Sequence, residues 1–463
     1  MSSSSEILRA FDESRLQRFH WRAVLTTGMG FFTDAYDLFI IGTVTAILTP
    51  IWHLSTTELA ILNSTSLAAA ALGALVFGRL MDVLGRRAMY GVEVILLTLG
   101  ALLSAFAPSF VWLVVFRAMV GFGVGGDYPS SSVIMSEYSN RKNRGFLVTL
   151  VFSMQGLGLL AGPLVASLLL SSGMSHALAW RLMLGLGAVP AASVIYLRRT
   201  MKETPRYLLD VKQSADEAAS VVADLTGETA GRSAAAAPAV RHSVWTSRNL
   251  VRLLGTCGSW FLIDVAFYGN GVSSQLILKA LLPGASLVQT VLVAAAIFFV
   301  AALPGYYVAA FYLDRIGRRT VQTLGFGVMA LAYLSIFAVP GVVQAPLAFL
   351  AIYAVSYFFI EFGPNTTTFV VPAEVFPTSI RGTAHGLSAA GGKVGAFLGA
   401  FVLPLVLKQF GLSPTMGMLA GVSALGAALT LLTLPEMKQR SLEENETLAV
   451  GQPVMAHAAG SSG

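Results

Sequence analysis

Between Trp21 and Pro435 the chain runs as twelve apolar blocks, at about 20–48, 58–79, 88–107, 109–135, 145–170, 178–198, 250–279, 287–311, 320–339, 345–371, 381–408 and 412–434. Short breaks carrying charge, proline or glycine separate them. A helix that crosses hydrocarbon needs about 20 mostly apolar residues in a row, and the blocks supply them. Backbone polar groups in lipid must be satisfied within the segment, so blocks of this length have to be helices. The expected fold class is therefore an all-α integral membrane protein with twelve transmembrane helices. A soluble globular protein is excluded, because 12% of the 463 residues are charged where a soluble domain carries roughly 25%.

The first block follows a polar run, MSSSSEILRAFDESRLQRFHWR, and is far longer than a signal-peptide core, so no cleaved signal is expected. The sole cysteine, Cys257, leaves nothing for an internal disulfide or a thiolate metal cluster. Neither a metal nor a cofactor is expected. The last residues, GQPVMAHAAGSSG, are small and polar enough to read as disordered.

A net charge of +6 could suggest nucleic acid, but the positions of the 30 Lys and Arg residues point elsewhere. Twenty-five of the 30 lie in one alternate set: the leader, the breaks after blocks two, four, eight and ten, the long central loop and the tail. The other set holds Arg181, Lys279 and Lys408, and Arg117 and Lys393 lie inside blocks. Basic residues accumulate on the cytoplasmic side of membrane proteins. Both termini and the central loop are thus expected in the cytoplasm, in a plasma or bacterial inner membrane, with no nucleic-acid partner. The expected layout is a leader at 1–19, a six-helix bundle at 20–198, a linker at 199–249, a second bundle at 250–435 and a tail at 436–463. Within the linker, a short helix is expected near Ser214 to Thr226.

The halves are duplicates. GRLMDVLGRR at 78–87 recurs as AFYLDRIGRR at 310–319, matching Asp82 to Asp314, Arg86 to Arg318 and Arg87 to Arg319. SEYSNRKNRG at 136–145 recurs as AEVFPTSIRG at 373–382, matching Glu137 to Glu374 and Arg144 to Arg381. A tight glycine turn followed by arginines that can pair with acids or helix ends suits a conformational latch, and these ten residues are the candidates for gating. Extending the match into the blocks sets Asp34 on Asp264, Tyr128 on Asn365 and Gln155 on Lys393. Polar residues matched at depth in both halves are expected of a substrate site at the interface of two repeats.

The string GFGVGGDYPS at 121–130 contains GxGxGG, but it lies inside an apolar block rather than between a strand and a helix, so its glycines are read as close packing contacts. A carboxylate at membrane depth must be protonated, paired or turned to a water-filled cavity. Asp34, Asp127 and Asp264 are therefore candidate proton carriers, whereas Asp37, Glu93 and Glu361 read as helix-end or structural ion-pair groups. His385 reads as packing. Trp260, Asp264 and Tyr268 are spaced four and four, which puts all three on one helix face. Lys393 is the one lysine in the middle of a block and calls for an anionic partner.

Tyr128, Gln155, Trp260, Tyr268 and Asn365 offer neutral hydrogen-bonding groups, Lys393 a cation and Asp264 an acceptor. A sugar site would need many more amides and aromatic platforms. The set suits a small oxyanion, and Asp264 favours one that keeps a hydroxyl donor: protonated phosphate does, sulfate at neutral pH does not.

These residues sit in FFTDAYDLF, GGDYPSSSVIMSEYSNRKNRG, FSMQG, WFLIDVAFYG and GPNTTTFVVPAEVFPTSIRGTAHGLSAAGGKVGA. Together the segments resemble the proton-coupled inorganic phosphate symporters of the major facilitator superfamily, and ETPRYL at 203–208 is similar to the run that follows the sixth helix in sugar-porter-like members. The resemblance implies two pseudo-symmetric six-helix bundles. It also implies phosphate contact for Tyr128, Gln155, Trp260, Asp264, Tyr268, Asn365 and Lys393, and proton coupling for Asp34 and Asp127. Taken together, the expectation is a transporter, not an enzyme, that takes up inorganic phosphate with protons as a monomer in a lipid bilayer. The alternatives are the same fold carrying another small anion or carboxylated metabolite, and a phosphate-sensing receptor.

Overall fold

The computed structural model describes residues 3–227, 242–285 and 287–448, so the terminal run GQPVMAHAAGSSG lies outside the described residues. Among the described residues, twelve helices are long and apolar enough to cross a membrane. In chain order they are α1 (Arg18–Trp52), α2 (Thr57–Leu84), α3 (Arg86–Ala105), α4 (Phe110–Tyr138), α5 (Arg144–Ser171), α6 (His176–Arg199), α7 (Ser247–Gly271), α8 (Leu292–Ile316), α9 (Arg318–Ala338), α10 (Pro346–Val375), α11 (Thr378–Phe410) and α12 (Leu412–Thr433). Large apolar side chains such as Leu72, Val111, Leu168, Phe299 and Leu432 stay exposed on their outer faces, as a lipid-facing surface requires.

Several spans depart from a uniform helix: α3 breaks at Tyr90-Gly91, α6 at Gly187, α11 opens on a 3-10 turn, Thr378–Ile380, and two more bear on the candidate site. α10 is interrupted at Gly363-Pro364, where proline lacks an N–H for the helical ladder, and α8 carries a π-helical segment, Phe298–Ala302. Both irregularities lie in the C-terminal half, beside residues of the candidate site.

The glycine-rich string of α4 packs as its composition suggests. A Cβ on Gly121 would strike the backbone of Ser66, and one on Gly125 that of Ala70, so α2 and α4 touch backbone to backbone. Between the halves, α2 packs on α11 and α5 on α8, the two contacts being equivalent under the repeat.

The end of the bundle that carries the leader, the central linker and the Gly-Arg-Arg turns, here called the basic end, is more structured than its polar sequence suggests. The leader forms a helix, Ser3–Glu13, that buries Ile7, Leu8 and Phe11, and it packs on the linker helix Ala215–Thr226, which buries Ala218, Ala219, Val221 and Val222. The short apolar spacing in EILRAF was the signal, masked by flanking serines.

Candidate functional site

Each half contributes one latch at the basic end, and both are made the same way. The Asp82 carboxylate accepts from the backbone N–H of Gly382 at 2.9 Å and of Thr383 at 2.6 Å, across the halves. Asp314 accepts from Gly145 at 3.0 Å and Phe146 at 2.8 Å. In both cases a carboxylate meets the first N–H groups of a helix, where the helix dipole favours negative charge. Gly85 and Gly317, with φ of 103° and 111°, make the turns that follow, a region glycine enters without steric cost.

Around these latches the symmetry breaks. Glu137 binds Arg86 at 3.1 Å within its own half and Arg381 at 2.7 Å from the other half, while Arg318 pairs with Glu374 and Asp314. Arg144, the repeat partner of Arg381, turns instead to Asp12 of the leader at 3.3 Å and to the Arg440 carbonyl at 3.0 Å. Eight of the ten gating candidates are therefore buried and paired, in three clusters: Asp82, Arg86, Glu137 and Arg381; Asp314, Arg318 and Glu374; and Arg144 with Asp12 of the leader. Arg87 and Arg319 are not among them: the Arg87 side chain is exposed, and Arg319 donates to the Leu431 carbonyl. Each follows the buried arginine of its motif by one residue, and one residue along a helix rotates a side chain to another face.

One turn deeper, Phe31 meets Phe369 edge to face with centroids 4.9 Å apart, and Phe152 stacks on Phe369 at 4.6 Å. Phe31 and Phe152 precede Asp34 and Gln155 on helices that start at the basic end, and Phe369 follows Asn365 on one that finishes there. The three rings close the candidate site toward the basic end.

Beyond the rings the expected residues converge. Lys393 donates to the hydroxyls of Tyr128 at 2.9 Å and Tyr268 at 2.7 Å, and its ammonium lies 4.0 Å from the Tyr128 ring centre. Tyr128 donates to Asp34 at 2.8 Å. Trp260 packs its ring 5.8 Å from that of Tyr128 and, with Phe369, encloses His385. Asp264 is buried with one carboxylate oxygen unbonded, and its electrostatic neighbours are Lys393 and Asp34. A second run leaves Tyr128: Gln155 donates to it at 3.4 Å, Tyr306 donates to Gln155 at 2.8 Å, and Asn365 donates to Tyr306 at 3.1 Å. One lysine, two aspartates and three tyrosine hydroxyls thus face each other across the halves.

Asp127 lies apart from this cage. Arg198 binds it through both guanidinium nitrogens, at 2.6 and 3.2 Å, and also holds Glu93 at 3.0 Å. Arg198 ends the sixth apolar block, at the edge of the basic linker, yet the structure buries it completely. The pairing of Glu93 agrees with its reading as a structural group, as does that of Asp37 with both nitrogens of Arg117. Glu361 does not follow: among the described ion pairs it has no cation, and it accepts from Asn365 at 2.6 Å. Tyr306 was missed altogether. Matching polar residues between repeats could not find either residue, since Tyr306 falls on Ala74 and Glu361 on Val124.

Residues 23–449 match the family described as Sugar (and other) transporter. The chain is 36% identical to a protein of Arabidopsis thaliana named probable inorganic phosphate transporter 1-6, with 95% of each chain covered. It is also 36% identical to inorganic phosphate transporter 1-6 of Oryza sativa subsp. japonica, over 95% of this chain and 94% of that one. Among solved structures, the proton:xylose symporter XylE bound to 6-bromo-6-deoxy-D-glucose superposes with a TM-score of 0.79 at 19% identity, covering 92% of this chain and 98% of its own. The inward open conformation of the xylose transporter XylE from E. coli gives 0.65 at 20% identity, covering 92% and 99%, and both show the same twelve-helix fold. The chain belongs to the Sugar (and other) transporter family, and is a multi-pass membrane transporter rather than an enzyme.

Proposed function

We propose that this transporter carries inorganic phosphate into the cell together with protons, by alternating access. The observation that carries the reading is the buried Lys393 ammonium, held on two tyrosine hydroxyls with Asp264 and Asp34 beside it. A phosphate oxygen is the natural replacement for those hydroxyls as the lysine's partner. Tyr128, Tyr268, Gln155 and Asn365 supply donors for the other oxygens, and Asp264 accepts from a phosphate hydroxyl. The names of the plant relatives support the substrate.

Charge balance supports the protons. Two carboxylates and one ammonium already leave a net negative site, and an anion would deepen it inside a medium that tolerates little unpaired charge. Asp34 is neutralised as phosphate binds, while Asp264 stays ionised to accept from the phosphate hydroxyl. When the basic end opens to a more alkaline interior, Asp34 loses its proton, Lys393 pairs with both acids, and phosphate is released. Asp127 enters this cycle only when its ion pair with Arg198 opens. The loop charges support a cytoplasmic basic end, which makes this conformation closed to the cytoplasm. Every group of the site comes from one chain, so a monomer suffices.

The test is uptake of labelled phosphate into proteoliposomes, with pH and Na⁺ gradients imposed separately. An inward proton gradient should drive uptake that arsenate competes and sulfate and organic acids do not. No phosphate uptake under that gradient overturns the proposal. Phosphate binding with no flux under either gradient would point instead to a receptor.

A further inference from the structure

The hydrogen-bond chain across the site has a carboxyl at each end. It starts at Asp34 on α1, passes through Tyr128, Gln155, Tyr306 and Asn365, and ends at Glu361 on α10. Glu361 is completely buried, and its second oxygen, Oε1, has no hydrogen-bond partner. The groups that face it are Asp264 from α7, Tyr306 from α8, and Tyr357 and Asn365 from α10 itself. The charged one among them is another acid.

Among the described residues, every other buried acid of the membrane interior has a cation at hand. Asp37 has Arg117, Asp127 and Glu93 have Arg198, and Asp34 and Asp264 share Lys393. An ionised Glu361 would have none, and an uncompensated charge at that depth costs several kcal/mol. Its Oε2 is also 2.6 Å from an amide N–H₂, which leaves Oε1 as the position for a proton. A neutral carboxyl would then be both acceptor and donor, with its hydroxyl free beside the cage.

We propose that Glu361 is a proton-carrying residue of the transport site, which holds one of the coupled protons on the C-terminal half and gives it up when the site opens to the cytoplasm. This rests on the proton-coupled reading above. The proton is taken from the extracellular solution onto Oε1 and leaves to cytoplasmic water, so the carboxyl returns to its starting state once per cycle. While protonated, it lets phosphate enter next to Asn365 without facing a third negative charge.

The test compares E361Q with the wild-type protein in proteoliposomes. Gln keeps the shape and the hydrogen bond to Asn365 but cannot release a proton. Phosphate–phosphate counterflow without a pH gradient should stay within about twofold, while accumulation driven by one unit of ΔpH should fall about tenfold, the worth of one proton. E361D, which keeps the acid, should restore accumulation. Equal loss of counterflow and accumulation in E361Q, or an unchanged accumulation, overturns the proposal. Infrared spectroscopy of substrate-free protein separates this from the phosphate reading. The wild type should show a carboxylic-acid carbonyl band that E361Q lacks and E361D shifts. Absence of that band sinks the assignment to Glu361 even if phosphate is transported. A wild-type protein that shows the band but moves no phosphate would retain a protonated Glu361 and overturn its role in phosphate coupling. Should E361Q fail to assemble, the E361D band shift and accumulation carry the same two outcomes.

Discussion

Arg198 on α6 binds both carboxylate oxygens of Asp127 on α4, at 2.6 and 3.2 Å, with all three charged groups of the cluster buried once Glu93 is included. Removing the arginine would strand two acids in the membrane interior. R198M should destabilise the protein by about 3–5 kcal/mol, the usual cost of breaking a buried pair from one side. Thermal unfolding in detergent measures it. The triple variant R198M/D127N/E93Q should recover most of that loss, because neutral side chains need no counterion; recovery of less than half would mean that packing, not charge, sets the stability here.

The two latches at the basic end predict a conformational bias. Asp82→Ala removes three hydrogen bonds accepted across the halves and Asp314→Ala two, each bond to a charged group worth about 1.5–3 kcal/mol. Both should shift the population toward an open basic end, and the double variant further. Spin-label distances between the halves, recorded on a Cys257→Ser background, should lengthen in that order. Unchanged distances in the double variant would show that the Glu137–Arg381 pair alone keeps this end shut.

Selectivity should reside in Asp264. Its unbonded oxygen is an acceptor that repels a fully deprotonated oxyanion. D264N would remove that repulsion, so sulfate should begin to compete with phosphate, with the discrimination falling by about tenfold or more. Competition of labelled phosphate binding by sulfate reads this out. If sulfate remains without effect, discrimination lies with the donors around Lys393.

The segment after α12 predicts a pH response. Its helix, Leu442–Thr447, places Glu446 against Arg381 and Thr378, and burial pushes that carboxyl up from 4.5 to about 7, with Arg381 opposing. A raised acid favours the docked state while protonated. The contribution is full below about pH 4.5 and is lost as pH rises through about 7. Amide exchange across Leu442–Leu448 should therefore accelerate from pH 6 to pH 8 beyond the intrinsic chemical rate, and E446Q should flatten that excess. An identical excess in E446Q would assign it to another group.

Much of the site was legible from the repeat. Asp34 and Asp264, Tyr128 and Asn365, and Gln155 and Lys393 were found as matched polar positions, and the structure brings all six to one place. The repeat finds only what both halves kept. Tyr306 and Glu361 lie opposite Ala74 and Val124, and Arg198 looked like one more loop charge at the end of a helix. The leader and tail were read as polar ends, yet Asp12 occupies Arg144 and the tail carbonyls accept from Arg141 and Arg144, contacts that no local pattern announces.

The amino-acid order by itself determined the number of helices, the one-sided distribution of basic residues and the duplication. These depend on hydrocarbon thickness and on backbone hydrogen bonds closed within a segment, so each is settled locally. Tertiary structure alone decided which charges meet. Arg198 reaches Asp127 across 71 residues and Lys393 reaches Tyr128 across 265, and whether a buried acid finds a cation depends on helix packing between those points. That packing gives Asp127 an arginine, lets Asp34 and Asp264 share a lysine, and leaves Glu361 with the Asn365 amide and the Tyr306 hydroxyl but, among the described residues, no cation.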